Sequence, residues 1–212
     1  MSRRLPIYIA IDTSGSMNGE PIQSVNVGLQ AMATALRQDP HALDSVSLSI
    51  ITFDINVKEI FPLTPLEQVQ IPEIVCPRSG ATSLGEALAL VVDRVKRDVV
   101  ISTNDKKGDW RPMFFIMTDG SPSDIARFNE MVPKIKKCQF AQIVGCAAGP
   151  KAKSQYLKQI TDTVVSLDTT DSTAFAGFFK WVSNSVGMKS TGIGSNSSNT
   201  LPPPPDEIQI VL

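Results

Sequence analysis

The sequence predicts an α/β protein: a doubly wound, mostly parallel six-stranded sheet with one antiparallel edge strand and helices on both faces. Three observations carry that reading. Two apolar runs, residues 5–11 and Met113–Thr118, show no polar alternation, as expected of strands covered on both faces. Stretches with helical apolar spacing separate the strands, so strand and helix alternate along the chain. Both unbroken runs stop at an aspartate, Asp12 and Asp119, and the carboxyl ends of parallel strands open into the crevices where such sheets bind ligands.

Taken in order, the first strand runs into Asp12-Thr13-Ser14-Gly15-Ser16-Met17. Gly19-Glu20-Pro21 then marks a helix start, with Ile22, Val25, Leu29, Met32 and Leu36 on one face and Asp39-Pro40 as its end. Val46–Phe53 and Val57–Phe61 read as a hairpin that supplies the antiparallel edge. The only histidine, His41, falls in the loop before it. Residues 62–82 carry four prolines and no sustained period, so they read as a long surface connection ending in Ser79-Gly80-Ala81-Thr82. The next helix has Leu84, Leu88, Val91, Val92, Val95 and Val99 at helical spacing, with Ser83 and Glu86 fitting a capping box.

After the Met113–Thr118 strand, Asp124 is placed to cap a helix that runs to Lys137, with Pro133 predicting a kink or a break inside it. Phe140–Ala148 reads as a strand, Lys153–Gln159 as a short helix, Val164–Leu167 as a last short strand, and Asp171–Val186 as an amphipathic helix. Residues 1–186 thus form one domain. Residues 187–212 form a Gly/Ser/Asn/Pro-rich tail, expected to be a mobile linker followed by extended prolines. Its terminal IQIVL is strand-like, able to join a sheet edge here or in a partner, or to remain a disordered tail.

With 212 residues and 42% hydrophobic content, the chain can bury one full core. A net charge of −1 without a basic stripe argues against a nucleic-acid partner. No apolar stretch approaches a membrane span. Cys76, Cys138 and Cys146 are odd in number and lack any CxxC, which indicates neither a disulfide framework nor a zinc site and points to a reducing, cytoplasmic compartment. Cys146 reads as a core residue.

Asp12, Ser14 and Ser16 offer one charged and two neutral oxygens on a short loop, the donor chemistry of a hard cation. Gly15 would let that turn close tightly. The competing structural explanation is a turn or helix cap, a common use of Ser and Asp, and Thr82 has the same alternative as a helix cap. Asp119 at a second strand end, with Thr82 in a loop before a helix, gives three loops able to converge at one edge of the sheet.

Together Asp12, Ser14, Ser16, Thr82 and Asp119, in this order and on these elements, resemble the metal-ion-dependent adhesion site of the von Willebrand factor A domain, over about residues 4–186. The resemblance implies a Rossmann-like fold and a divalent cation, Mg²⁺ first with Mn²⁺ or Ca²⁺ as alternatives. It implies Ser14, Ser16 and Thr82 as direct or near-direct ligands, with Asp12 and Asp119 acting largely through water. It also implies no catalysis: the cation takes an acidic residue of a partner protein. In some members, ligand engagement moves the metal loops and the last helix. More narrowly, RRLPIYIAIDTSGSMNGEPI, LSIITF, SGATSLGEAL, KKGDW and MTDGSPSD resemble the TerY group of bacterial domains associated with tellurium resistance. That implies a stress-response setting with a PP2C-like phosphatase and a protein kinase as partners.

The rival is a Mg²⁺-dependent phosphohydrolase of haloacid-dehalogenase type using Asp12. Such an enzyme needs a second carboxylate two residues on as proton donor, where this chain has Ser14. A serine hydrolase would need a base, and His41 is remote in sequence with no GxSxG present. Nucleotide-binding glycine motifs are absent from the sequence.

Overall fold

Eight consecutive buried residues form the central strand β1 (Leu5–Asp12), which pairs in parallel with β2 (Val46–Phe53) on one side and β4 (Met113–Thr118) on the other. The computed structural model describes residues 3–77, 80–105, 107–149, 152–167, 172–191, 201–205 and 208–211. Residues 192–200 of the expected mobile linker, and residues 78–79 of the long connection, lie outside these. Beyond β4 follow β5 (Gln142–Ala148) and β6 (Val164–Leu167), both parallel. β3 (Val57–Pro65) runs antiparallel to β2 with a bulged register, as the hairpin reading required.

Among the described residues the sheet has seven strands, in the order β3-β2-β1-β4-β5-β6-β7, one more than expected. β7 (Gln209–Ile210) comes from the tail and pairs antiparallel with β6, so both edges of the sheet are antiparallel. The strand-like IQIVL thus joins the sheet edge of its own chain. What anchors it is tertiary: Ile208 is buried in the core and the Val211 N–H donates to the Val164 carbonyl.

The missing polar alternation in β1 and β4 has a simple cause. Ile7, Ile9, Ile11, Met113, Phe115 and Met117 face one apolar layer, while Tyr8, Ala10, Phe114 and Ile116 face another. The first layer is covered by α1 (Glu20–Gln38), α2 (Pro40–Ser45) and α6 (Ser172–Thr191). The second is covered by α3 (Leu84–Asp98), α4 (Ile125–Lys136) and α5 (Ser154–Ile160). α1 and α6 approach closely at Gly28, where an added Cβ would stand 2.2 Å from Phe179 Cδ2.

Four local expectations are corrected. His41 lies in the first turn of α2, where Asp39 accepts from the His41 and Ala42 amides; Asp39-Pro40 ends one helix and caps the next. The 62–82 connection begins as strand, since β3 reaches Pro65, and is then pinned rather than merely superficial. Leu66, Val69 and Ile74 are buried, and Asn26 of α1 exchanges two hydrogen bonds with the Ile74 backbone. Of the kink or break expected at Pro133, the break is absent: α4 runs unbroken through this residue near its C-terminal end, with Phe128, Met131 and Ile135 on its buried face. α6 extends past Val186 to Thr191.

Candidate metal centre

The chain order reverses on either side of β1: β2 lies on one side and β4 on the other, which leaves a crevice at their carboxyl ends. Asp12, the last residue of β1, is fully buried there. One of its carboxylate oxygens accepts from the Ser14 amide at 2.8 Å, and the other from the Thr118 hydroxyl at 2.6 Å. Thr118 in turn accepts from the Gly120 amide at 3.1 Å, so the end of β4 is tied to the end of β1. After Asp12 the chain makes one 3-10 turn, Gly15–Met17, closed by the Met17 amide on the Ser14 carbonyl and plugged by the buried Met17 side chain. The glycine whose freedom this loop uses is Gly19 rather than Gly15: its φ of 91° lets the chain swing from the turn into α1.

That turn stacks the hydroxyls. Ser14 Oγ lies 3.2 Å from Ser16 Oγ, and Ser16 Oγ donates to Asp119 Oδ1 at 2.9 Å. Thr82 joins from the third loop. Its Oγ1 would lie 3.3 Å from a Cβ built on Gly120, a tight approach, and Asp12 Oδ2 would lie in ordinary contact at 4.0 Å from the same point, so position 120 stands between the two. The structure therefore brings all five sequence-nominated residues to one crevice, with Asp12, Ser14 and Thr82 buried and Ser16 open to solvent.

The Thr82 loop is held by residues that sequence reasoning did not nominate. Ser123 Oγ accepts from the Thr82 amide at 2.9 Å and the Ser123 amide returns a bond to the Thr82 carbonyl at 2.8 Å. Asp124, expected to cap α4, instead caps α3: its two oxygens accept from the Gly85 and Glu86 amides at 3.0 and 2.8 Å. The Ser83–Glu86 capping box does not form. Ser83 Oγ donates towards the Ile55 carbonyl at 3.4 Å, while Glu86 pairs with Arg127. A capping carboxylate supplied from a distant loop leaves no SxxE-type signal, although Ser-Pro-Ser-Asp directly after Gly120 was visible as a polar cluster.

A third strand-end aspartate, Asp54 after β2, braces the other side. It accepts from the Thr13 hydroxyl at 2.9 Å and the Asn56 amide at 3.0 Å, and its carbonyl accepts from the Ser83 amide. Burial pushes the Asp12 carboxyl up to about 6, with the hydrogen bonds from Thr118 and Ser14 opposing and the charge of Asp119 adding. Cys76 flanks this cluster. Burial, then the charges of Asp12, Asp54 and Asp119, push its thiol up to about 11 and keep it neutral.

The donor set is three hydroxyls and two carboxylates, all oxygen, which fits a hard divalent cation and not a thiolate-seeking metal. Among the described residues, no group of three or more His, Cys, Asp or Glu side chains is gathered as a metal cluster. The hydroxyl contribution is what distinguishes this crevice. A cation beside Asp12 would favour its charged form and reverse the effect of burial. Among the described residues no helix is long and apolar enough to cross a membrane.

Comparison with solved structures finds the same fold in otherwise different proteins. A mussel byssus proximal thread matrix protein, in a form with a zinc-occupied MIDAS motif, superposes with TM-score 0.64 at 18% identity, over 86% of this chain and 48% of that one. A von Willebrand factor type A protein from Catenulispora acidiphila gives 0.62 at 14%, over 88% and 43%. The pilus adhesin SpaC from Lactobacillus rhamnosus GG, in its open conformation, gives 0.68 at 13%, over 89% and 30%. The chain spans less than half the length of each. No curated protein sequence matches it significantly. The sequence profile of the von Willebrand factor type A domain matches residues 7–180, most of the chain, and the protein belongs to that family.

Proposed function

We propose that this domain is a non-catalytic, metal-dependent protein-binding module in which Asp12, Ser14, Ser16, Thr82 and Asp119 hold one divalent cation. The observation that carries the reading is the continuous chain from Ser14 Oγ through Ser16 Oγ to Asp119 Oδ1, which joins two strand ends through neutral oxygens and opens to solvent at Ser16. A bound cation would supply an electrophilic position for an acidic residue of a partner. The protein's own residues preset that position. Asp12 fixes the turn through the Ser14 amide, Thr118 holds Asp12, and Ser123 with Asp124 hold the Thr82 loop.

Mg²⁺ is the favoured ion, with Mn²⁺ and Ca²⁺ as alternatives that oxygen donors also accept. The zinc-occupied motif of the byssal protein puts Zn²⁺ in the same titration. The segments resembling the TerY group support a setting in a bacterial tellurium-resistance or other stress response. There the partners would be a PP2C-like phosphatase and a protein kinase in the cytoplasm. The phosphohydrolase alternative is disfavoured because both oxygens of Asp12 are engaged in hydrogen bonds and position 14 is a serine.

The test is calorimetric titration of each ion into wild type and Ser14→Ala, followed by pull-down of purified phosphatase and kinase with Mg²⁺ or with chelator. Saturable ion binding lost in Ser14→Ala, and retention of a partner only with the ion, are expected. Ion binding indifferent to Ser14→Ala would overturn the site. Ion-independent retention would overturn the mechanism.

A further inference from the structure

The tail does more than extend the sheet. Leu201 packs against the core, the Trp181 indole N–H donates to the Pro202 carbonyl at 2.8 Å, Ile208 is 4% exposed, and Gln209–Ile210 pair with β6. The segment lies against an open cleft of about 450 Å³ whose walls are Thr173, Gly177, Lys180 and Trp181 of α6 and Pro203 and Pro205 of the tail. A second cleft borders Pro202 on the side of α1.

An aromatic N–H on a proline carbonyl, beside an aromatic-and-glycine surface, is how extended proline segments are recognised. A strand added to an open sheet edge is the other common mode of peptide recognition. Here both involve one stretch of the chain, residues 201–205 at α6 and 208–211 at β6. We propose that the α6 groove and the β6 edge form one peptide-binding site, separate from the metal centre. Its ligand class is an extended proline run followed by a short strand, and its resident ligand is formed by this chain's own residues 201–205 and 208–211.

The geometry allows the resident to bind in cis. Ten helical residues from Trp181 to Thr191 rise ~15 Å. The nine residues between Thr191 and Leu201 reach at most ~30 Å when extended, so the tail can fold back along α6. An attached ligand acts at an effective concentration in the mM range. A foreign segment of the same chemistry must therefore outcompete it, and the site is latched rather than open.

The full chain tests this if a specific protease sequence replaces residues 194–199 and is then cleaved. A labelled peptide of residues 201–212 is added and followed by fluorescence anisotropy, with circular dichroism recording the fold. In the expected result the cut tail stays bound at high concentration, leaves on dilution, and exchanges saturably with the labelled peptide. A peptide with the four prolines changed to alanine competes at least tenfold more weakly. Trp181→Phe, which keeps an aromatic ring and removes the donor, weakens binding about fivefold, the equivalent of one hydrogen bond. Three results would overturn the proposal: no exchange, a released tail that fails to rebind to a folded domain, or unfolding of the domain once the tail leaves. Any of the three would make residues 201–205 and 208–211 part of the core and not a ligand.

Discussion

Replacing Asp12 by asparagine should make the metal-free protein more stable at neutral pH while abolishing its response to Mg²⁺. Burial raises the carboxyl from 3.8 to about 6. At ~1.4 kcal/mol for each pH unit, the charged form costs about 3 kcal/mol in the folded state. The folded protein holds the proton more tightly than the unfolded chain, so stability is fully present below pH ~4 and lost as pH rises through ~6. The asparagine amide would keep an acceptor for the Ser14 amide but disturb the Thr118 hydroxyl bond, a loss of about 1 kcal/mol. The net effect is a gain of about 2 kcal/mol above pH 7, or ~4–8 °C in Tm for a chain of this size, turning into a loss of about 1 kcal/mol near pH 4. The assay is thermal denaturation of both proteins from pH 4 to 8, in chelator and in Mg²⁺. In Mg²⁺ at ~100 times its Kd, wild type should regain roughly 2.7 kcal/mol while the variant gains nothing. A variant less stable than wild type in chelator at pH 7.5 would refute the argument that Asp12 is held charged at a cost.

Other outcomes follow from the same geometry. Mg²⁺ held at the proposed site would compete with the proton on Asp12, so its apparent affinity should fall about tenfold per pH unit below ~6; calorimetry at pH 5 and 7.5 reads this, and equal affinities would contradict it. Asp124→Ala removes both acceptors from the first turn of α3 and should lower stability by about 1–2 kcal/mol in urea denaturation, with weaker Mg²⁺ binding through the loosened Thr82 loop. Gly28→Ala drives a Cβ into Phe179 and should cost about 1–3 kcal/mol, partly recovered when Phe179→Leu is added; a strictly additive double variant would contradict the contact.

Asp12 and Asp119 were legible because they lie at strand ends, whereas Ser14, Ser16 and Thr82 were nominated by the family motif that their order resembles. A strand buried on both faces is an unbroken apolar run, so the residue that ends it, Asp12 or Asp119, stands out and its position in the fold follows. The residues that hold the loops in place were not legible. Asp124 looks like a cap for the helix that follows it, and only the approach of the 120–124 loop to α3 redirects its carboxylate to Gly85 and Glu86. Asp54 reads as an ordinary turn residue until Thr13 and Ser83 are seen to lean on it.

By itself the sequence determined the alternation of strand and helix, the doubly wound sheet and the five residues that meet at its crevice. The first two rest on short-range signals, period and the residue at which an apolar run ends; the five residues rest also on the family motif that their order resembles. Tertiary structure alone decided which of its alternatives the strand-like tail takes and that it pairs with β6, that Pro133 leaves α4 whole, that Trp181 binds Pro202, and that a distant aspartate caps α3. Each depends on a contact between segments far apart in the chain. Its free energy comes from burial and hydrogen bonding that exist only once the fold has formed, so no local pattern records it.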